Sequence, residues 1–413
     1  MKYVGRLDVL TTTVILALAG CAGTGTTVPP GAMPQSAASS LSYKVLHRFS
    51  PPEEDGSVRP EAALINVGGT LYGTTFGKAG GNGTVFSMDS TGKHTTLHRF
   101  YSQDGRGPRD ALLDVNGTLY GTTEYGGAFQ NGVVFSVTPA GVENVVHKFA
   151  GGSDGSHPSA GLIDVNGTLY GTTANGGGSG CDGLNAGFGN VKGCGTVFTI
   201  STSGAESVLY RFAQPGCANP EAALLDVNGT LYGTTANGGK DGGGCVFSVS
   251  KSGAEKVLHS FGQSDGRQPI AQLIDVNGTL YGTTLDGGTH TDGTVFSISP
   301  AGKEKVLYSF AGFSDGVGPD AALLNVQGIL YGVTSYGGTS TCRHFGYYGC
   351  GTIYSVSTKG AEKVLYAFKG GADGAFPQAG LVDVNGALYG TTTYGGDSLC
   401  DHLGCGTVFE ITP

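Results

Sequence analysis

The sequence predicts an all-β fold, a seven-bladed β-propeller of four-stranded antiparallel blades over residues 42–413. Three observations lead to it: one repeat occurs seven times, each repeat holds four strand-like segments, and a lone fourth-strand segment precedes the first complete repeat. Four short strands in each unit of about 50 residues are typical of propeller blades.

The repeat is marked by the tripeptide Leu-Tyr-Gly, whose copies lie 48 to 62 residues apart. Its tyrosines are Tyr72, Tyr120, Tyr170, Tyr232, Tyr281, Tyr331 and Tyr389. The sequence has 76 glycines, and they recur at fixed places in the repeat. This regularity indicates turns in a folded array rather than a low-complexity chain.

The third repeat illustrates the four predicted strands. An apolar run at 161–165 is followed by Asn166-Gly167 and by the β-prone run 168–173. Asn-Gly between two such runs predicts a hairpin, because both central residues of a type I′ turn need positive φ. A Gly-Gly pair and a loop precede the third strand at 195–201, and a short turn leads to the fourth at 207–212.

Fourth-strand segments that end in Phe also number seven. They lie at 44–49, 95–100, 144–149, 207–212, 256–261, 305–310 and 363–368. The repeat region therefore begins with a fourth strand and ends with a third strand at 406–412. We expect the first strand to complete the last blade, which removes an open sheet edge. A parallel solenoid is the alternative, but it does not explain this displaced strand.

The large insertions all fall between the second and third strands. The distance from the repeat tyrosine to the apolar centre of the third strand varies from 13 to 27 residues. In an antiparallel blade this loop lies on the same face as the link into the next blade. We call this the variable face, and we expect binding residues there.

The N-terminus predicts export. Lys2 and Arg6 precede an apolar run at 14–18, which is too short to span a bilayer. Leu18-Ala19-Gly20-Cys21 looks like a bacterial lipobox, although Asp8 departs from the pattern. We expect a signal peptide at 1–20, a lipidated Cys21, a flexible linker at 21–41, and a lipid anchor in the membrane of the bacterial envelope, facing periplasm or exterior. An ordinary signal peptide in which the Cys occurs by chance, or a short helix, is the alternative.

The motifs Leu-Tyr-Gly-Thr-Thr, Gly-Gly, Gly-Thr-Val-Phe and Asp-Gly-x-x-Pro resemble the bacterial GloVer tandem repeat over essentially all of 43–413. That resemblance implies surface display through varied anchors and no defined activity. A weaker similarity is to kelch propellers, which share the diglycine after the second strand. It implies protein binding by analogy only, and the kelch Trp is absent.

Eight cysteines follow Cys21, and all of them can be paired as disulfides. The expected pairs are Cys181 with Cys194, Cys217 with Cys245, Cys342 with Cys350, and Cys400 with Cys405. Zinc held by Cys342, Cys350, Cys400, Cys405, His344 and His402 is the rival interpretation. These spacings match no standard zinc motif, so we expect neither a metal nor a cofactor.

Two further recurring positions are interpreted as structural. Asp-Gly recurs in the links as Asp55, Asp104, Asp154, Asp265, Asp315 and Asp373. We interpret it as a turn rather than a ring of cation ligands. One fourth-strand position holds His47, His98, His147 and His259, with Tyr210, Tyr308 and Tyr366 in the other copies. Interchange between His and Tyr indicates a structural site.

Candidate ligand-binding residues lie before the Gly-Gly pairs and in the long loops. The first group is Tyr125, Asn175, Asn237, Asp286, Tyr336 and Tyr394, and the loop aromatics are Phe188, Phe345, Tyr347 and Tyr348. Tyr, Asn and Asp together can stack on a sugar and hydrogen-bond to it. Asn and Asp before Gly are also ordinary turn formers, which leaves a purely structural interpretation open.

Charge and motifs exclude several functions. The net charge is −9 with no Lys/Arg cluster, so we expect no nucleic-acid partner. Nucleophile-elbow, phosphate-loop and His-Glu-x-x-His motifs are absent, and no catalytic residue is assigned. The sequence favours a non-catalytic surface module that binds an extracellular polysaccharide or protein. A glycan-degrading hydrolase or lyase and a structural envelope protein are the alternatives.

Overall fold

The computed structural model describes residues 41–50, 58–77, 81–181, 192–338, 342–344, 346–396, 400 and 403–413. These residues form seven four-stranded antiparallel sheets. From the second sheet to the seventh, the first strands of successive sheets contact one another, and that of the last sheet contacts that of the first. The first and second sheets meet through Phe100 and Phe135. The sheets are therefore the blades of a closed seven-bladed propeller, with the first strands around the central channel, as the sequence predicts.

The inner two strands of each blade are joined by the Asn-Gly-type hairpin. The first strands are Ile65–Val67, Leu113–Val115, Ile163–Val165, Leu225–Val227, Ile274–Val276, Leu324–Val326 and Val382–Val384. The second strands are Thr70–Thr75, Thr118–Thr123, Thr168–Thr173, Thr230–Thr235, Thr279–Thr284, Ile329–Thr334 and Ala387–Thr392. In the second blade Asn116 and Gly117 have φ of 53° and 82°, as the type I′ turn requires.

The outer two strands complete each blade. The third strands are Thr84–Met88, Val133–Val137, Gly193–Ile200, Cys245–Ser250, Thr294–Ile298, Thr352–Ser357 and Thr407–Thr412. The fourth strands, from the first blade to the seventh, are His94–Arg99, Glu143–Lys148, Glu206–Arg211, Glu255–Ser260, Glu304–Ser309, Glu362–Ala367 and Ser42–Arg48. Two-residue strands also occur at Gly176–Gly177, Cys217–Ala218, Asn237–Gly238, Arg343–His344 and Tyr347–Tyr348, and 3-10 turns at Gly152–Asp154 and Gly371–Asp373.

The N-terminal strand closes the ring. Ser42–Arg48 pairs antiparallel with Thr407–Thr412, from Ser42 opposite Thr412 to Arg48 opposite Thr407. The Phe49 amide then donates to the Gly406 carbonyl at 3.0 Å. The seventh blade is therefore assembled from both ends of the described chain, which confirms the predicted closure.

Neighbouring blades pack through one aromatic pair at each junction. In the first junction Phe100, at the end of a fourth strand, meets Phe135 of the next third strand edge to face, with centroids 4.8 Å apart. The other six junctions repeat this pairing, with centroids 5.0–5.5 Å apart. The glycine of Leu-Tyr-Gly makes room for it, because a Cβ on Gly121 would lie 2.6 Å from the Phe135 ring.

Of the N-terminal predictions, the signal peptide at 1–20, Cys21 and nearly all of the linker lie outside the described residues. No helix within the described residues is long and apolar enough to cross a membrane.

Candidate functional site

Each link between blades delivers one residue to the central channel. This residue follows the link proline and precedes the first strand. We call the seven together the channel mouth: Glu61, Arg109, Ser159, Glu221, Ile270, Asp320 and Gln378. They line a cavity of about 250 Å³ whose remaining walls are mostly Ala and Gly. Small walls leave room for a ligand group beside the polar side chains.

The links hold these residues in place through the residue before each proline. That residue is always left-handed, with φ between 54° and 68°. Its amide donates to a carbonyl of the preceding blade, as from Phe376 to Cys350 at 2.8 Å. Proline fixes the next φ. The channel mouth is therefore positioned by backbone geometry, and its chemistry can vary from blade to blade.

The first two blades place an ion-pair network at the channel mouth. Arg59 contacts Glu61 at 2.5 Å, and Arg109 Nε lies 3.2 Å from Glu61 Oε2. Arg109 Nη1 lies 3.4 Å from Oε2 of Glu124, at the end of the second strand. The Glu61 and Glu124 side chains are only 3% and 1% exposed, and burial raises the pKa of Glu124 despite Arg109. Such buried carboxylates depend on the arginines.

The sixth blade places a perturbed carboxyl group across the same cavity. Ser335 Oγ donates to Asp320 Oδ2 at 2.7 Å, whereas Asp320 Oδ1 has no hydrogen-bond partner. Burial raises the pKa of Asp320 to about 7. In the seventh blade Thr393 donates to Gln378 Oε1 at 2.8 Å. Thr393 occupies the repeat position of Ser335, and Gln378 occupies that of Asp320, so the pairing is the same in both blades.

An arc of aromatic residues on the variable face adjoins the channel mouth. We call Phe76, Tyr336, Tyr347, Phe376 and Tyr394 the aromatic arc. Tyr336 stacks on Tyr347 at 4.7 Å and meets Phe376 edge to face at 5.4 Å. Phe376 in turn meets the Tyr394 ring at 5.7 Å. These contacts join blades six and seven.

Arginine links the aromatic arc to the channel mouth. Arg59 lies 5.6 Å from the Tyr394 centroid and 5.2 Å from the Phe76 centroid, distances at which a cation interacts with a ring. Arg109 lies 5.5 Å from the same Phe76 ring. Arg59 and Arg109 also pair with Glu61, so a network of contacts connects the arc with the cavity. Within the arc Tyr347 is exposed and Phe76 and Tyr336 are half-buried, whereas Phe376 and Tyr394 are buried.

The candidates predicted from sequence are distributed unevenly over this surface. Tyr336, Tyr347 and Tyr394 belong to the aromatic arc, with Tyr347 49% exposed and Tyr394 buried. Tyr348 is exposed beside Arg343. Phe188 and Phe345 lie outside the described residues.

The other predicted candidates lie on blades two to five. Tyr125 packs against Arg106, whose guanidinium lies 4.8 Å from the ring, and against His157 of the next link, at 5.3 Å. Asn237 donates to Asn219 at 3.2 Å. Asp286 is half-buried, and its Oδ1 accepts from the Gly287 amide at 2.8 Å. Asn175 is buried, so it offers no side chain to a ligand on the surface.

Several residues of this surface escaped the sequence analysis. They are Arg59, Phe76, Phe376 and the channel-mouth residues, chiefly Glu61, Arg109 and Asp320. A signal was present: the residue after each link proline changes from blade to blade, while Pro before it and Ala or Asp after it vary little. Variation at one position of a regular repeat marks a place where the fold does not choose the side chain.

Four disulfides brace the variable face. They join Cys181 with Cys194, Cys217 with Cys245, Cys342 with Cys350, and Cys400 with Cys405, the pairs expected from sequence. Because these cysteines are paired, they do not form the alternative zinc site. Four disulfides indicate an oxidising compartment outside the cytoplasm.

Solved structures similar to this chain include a gluconolactonase from Xanthomonas campestris, with 12% identity, 69% of this chain and 82% of that chain covered, and a TM-score of 0.39. A PQQ-bound aldose sugar dehydrogenase from Streptomyces coelicolor has 12% identity, covers 90% of this chain and 98% of that chain, and gives a TM-score of 0.44. Similarity at this level carries no functional argument. A search of curated proteins finds no match.

A family profile matches the chain directly. The Gloeobacter/Verrucomicrobia repeat matches residues 18–184 and 185–345, which is more than three quarters of the sequence. The motifs that resemble the GloVer repeat lead to the same family. The chain therefore belongs to the Gloeobacter/Verrucomicrobia repeat family.

Proposed function

We propose that this protein is a non-catalytic binding module at the cell surface, and that it binds an extracellular polysaccharide through the aromatic arc and the channel mouth. The observation that carries the proposal is the continuity of the two, through Arg59 and Arg109. The accessible rings of Tyr336 and Tyr347 offer rigid apolar faces to sugar rings, and the polar groups of the channel mouth offer hydrogen bonds to hydroxyl groups.

The position of the surface supports the proposal. The aromatic arc lies on loops of a closed, disulfide-braced scaffold, where binding residues are commonly found. Ser335 donates a hydrogen bond to Asp320, and Thr393 donates one to Gln378. These bonds orient the two acceptor side chains at the cavity. Little ordering is then needed on binding, which favours affinity.

The proposal is tested by titrating the full chain with a panel of bacterial and plant polysaccharide fragments in a calorimeter. For a fragment that binds, Tyr336→Ala/Tyr347→Ala should weaken affinity about tenfold or more, since each stacked ring contributes roughly 1 kcal/mol. Tyr101→Ala/Phe313→Ala is the matched control, because these rings are 62% and 57% exposed and lie outside the arc. Equal losses in both variants, or binding to no fragment, would refute the proposal.

Glycan cleavage is a second candidate function, and Asp320 is the observation that favours it. A carboxyl group with a pKa raised to about 7 can act as a general acid at neutral pH, and Glu221 lines the same cavity. Incubating the bound fragment with the full chain and with Asp320→Asn separates the candidates. Cleavage that Asp320→Asn abolishes supports an enzyme, whereas an intact fragment supports binding alone.

For localisation, we propose that Cys21 carries a lipid that anchors the protein at the cell envelope. The lipobox motif Leu18-Ala19-Gly20-Cys21 supports this. Metabolic labelling with a fatty-acid analogue should label the wild-type chain and leave Cys21→Ser unlabelled. Equal labelling of both chains would exclude lipidation at Cys21.

A further inference from the structure

Three junctions between blades bring a histidine, an aspartate and a glutamate together. The first set is His98, Asp104 and Glu143. In each set, one donor atom from each of the three residues lies within 4.8 Å of the others. The histidine comes from the fourth strand of one blade, the aspartate from the link, and the glutamate from the start of the next fourth strand. Each set therefore spans two blades.

The second and third sets repeat this arrangement. The second is His147, Asp154 and Glu206, between blades two and three. The third is His259, Asp265 and Glu304, between blades four and five. All lie outside the channel mouth and the aromatic arc, so they do not belong to the site of the proposed function.

The aspartate of each set is oriented by the backbone. One oxygen of Asp104 accepts from the Tyr101 amide at 2.6 Å, and the other faces His98 Nε2 at 3.2 Å. Asp265 likewise accepts from the Gly262 amide at 2.8 Å and faces His259 Nε2 at 2.8 Å. This confirms the predicted turn role of the aspartate, and it leaves one oxygen aimed at the imidazole.

The same pattern holds in the second set. One oxygen of Asp154 accepts from the Ala150 amide at 2.6 Å, and the other lies 3.5 Å from His147 Nε2. Each imidazole is also held edge to face by the phenylalanine two residues later, as His98 is by Phe100 at 4.9 Å. The nitrogen donors are therefore fixed by packing.

The glutamates complete the donor sets. Oε1 of Glu143, Glu206 and Glu304 is buried and has no hydrogen-bond partner. A buried carboxylate oxygen without a partner is costly unless a proton or a cation satisfies it. The histidine side chains are 14–21% exposed, which leaves a route for an ion from solvent.

We propose that each of the three sets binds one divalent transition-metal ion and that the ion cross-links neighbouring blades. Zn²⁺ is the ion with which we would test this. One imidazole nitrogen and two carboxylate oxygens suit Zn²⁺ better than Mg²⁺ or Ca²⁺. Donors around tetrahedral Zn²⁺ lie about 3.4 Å apart. The His–Asp distances of 2.8–3.5 Å are already near this value, and the other donor pairs lie within 4.8 Å, so side-chain rotation would bring all three donors to one ion. Water would fill the fourth position.

The sixth blade supplies an internal control. In its junction with the fifth blade, Tyr308 of the fifth blade's fourth strand stands where the three sets hold histidine. Asp315 of the link and Glu362 of the sixth blade stand at the other two positions. Tyr308 Oη donates to Asp315 at 2.6 Å, so a phenol occupies the place of the imidazole without changing the link. His→Tyr should therefore preserve the fold and remove the nitrogen ligand.

The test is equilibrium dialysis of the full chain against ZnCl₂, with metal content measured by mass spectrometry. Wild type should retain three more Zn²⁺ per chain than H98Y/H147Y/H259Y, and the single variant H259Y should lose one. Zn²⁺ should also raise the unfolding midpoint of wild type and leave that of the triple variant unchanged, since an ion that binds only the folded state stabilises it.

Equal retention by wild type and the triple variant would overturn the proposal, and so would no retention by wild type. In either case the sets are hydrogen-bonded contacts between blades only. If the triple His→Tyr variant does not fold by circular dichroism, E143Q/E206Q/E304Q replaces it, because glutamine keeps the side-chain shape and lacks the charge. It should lose the same three ions.

Discussion

Tyr354 is a single residue that departs from the repeat. The other six blades place Phe at this third-strand position, and Tyr354 is fully buried. Its hydroxyl group has no hydrogen-bond partner. The ring meets Phe310 edge to face at 5.0 Å, as the phenylalanines do in the other junctions. The ring therefore contributes to packing while the hydroxyl group is left unsatisfied.

We predict that Tyr354→Phe stabilises the protein. Removing a buried, unpaired hydroxyl group should raise the free energy of unfolding by about 1 kcal/mol. Denaturant unfolding of both chains measures this difference. Phe296→Tyr is the mirror control, which adds the same unpaired group in the fifth blade and should destabilise by a similar amount. A less stable Tyr354→Phe would show that the hydroxyl group has a partner in solution.

At the scale of the element, the closing strand Ser42–Arg48 does what a fourth strand does in the other blades. It ends at Phe49, which is 1% exposed and meets Phe86 of the first blade at 5.5 Å. The equivalent Phe261 meets Phe296 at 5.0 Å within a continuous part of the chain. One junction therefore depends on a strand that is more than 350 residues away from its pairing partner.

We predict that Phe49→Ala and Phe261→Ala destabilise the protein to a similar extent. Truncating a buried phenylalanine costs about 3–5 kcal/mol, from lost apolar burial and the cavity left behind. Thermal unfolding monitored by circular dichroism measures both. A Phe49→Ala chain with the wild-type unfolding midpoint would mean that this strand leaves the ring readily in solution.

The strands themselves were predictable because their signals are local. Asn166-Gly167 sets a hairpin, Gly121 accommodates the Phe135 ring, and alternation along each run sets the buried face. The channel-mouth pairs were not predictable in this way. Arg109 meets Glu61 of the preceding blade and Glu124 of its own, and no spacing rule within one repeat specifies contacts between blades.

At the scale of the whole molecule, the junctions between blades titrate near neutral pH. Burial, reinforced by the neighbouring link aspartate, raises the pKa of Glu143, Glu206, Glu304 and Glu362 to about 7 in each case. In the unfolded chain these groups lose their protons near the ordinary pKa of glutamate, about 4.3. Between these values the folded protein binds more protons than the unfolded chain.

We predict that stability falls as the pH rises from about 4.3 to about 7, the interval between the unfolded and folded pKa values of these glutamates. A raised folded-state pKa contributes stability that is complete below the unfolded value and is lost as the pH passes through the folded one. The unfolding midpoint with a chelator present should therefore decrease over this window. In E143Q/E206Q/E304Q the decrease should be smaller, because three of the four groups no longer titrate. A midpoint that rises over the same window would contradict these pKa shifts.

Local sequence patterns predict the number of blades, the order of the strands, the closure of the ring and the face that carries the long loops. Each of these follows from periodicity, turn chemistry and the need to pair every strand edge. The four cysteine pairs followed from their places in those loops.

The contacts between side chains of different blades follow from the folded structure and not from these patterns. The aromatic arc joins Tyr394 to Phe76 through Arg59, across the point where the ring closes. The three sets of histidine, aspartate and glutamate likewise take their glutamate from the following blade. The physical reason is that a repeat pattern specifies the backbone of each blade, whereas the contacts between side chains depend on how adjacent blades are tilted and packed.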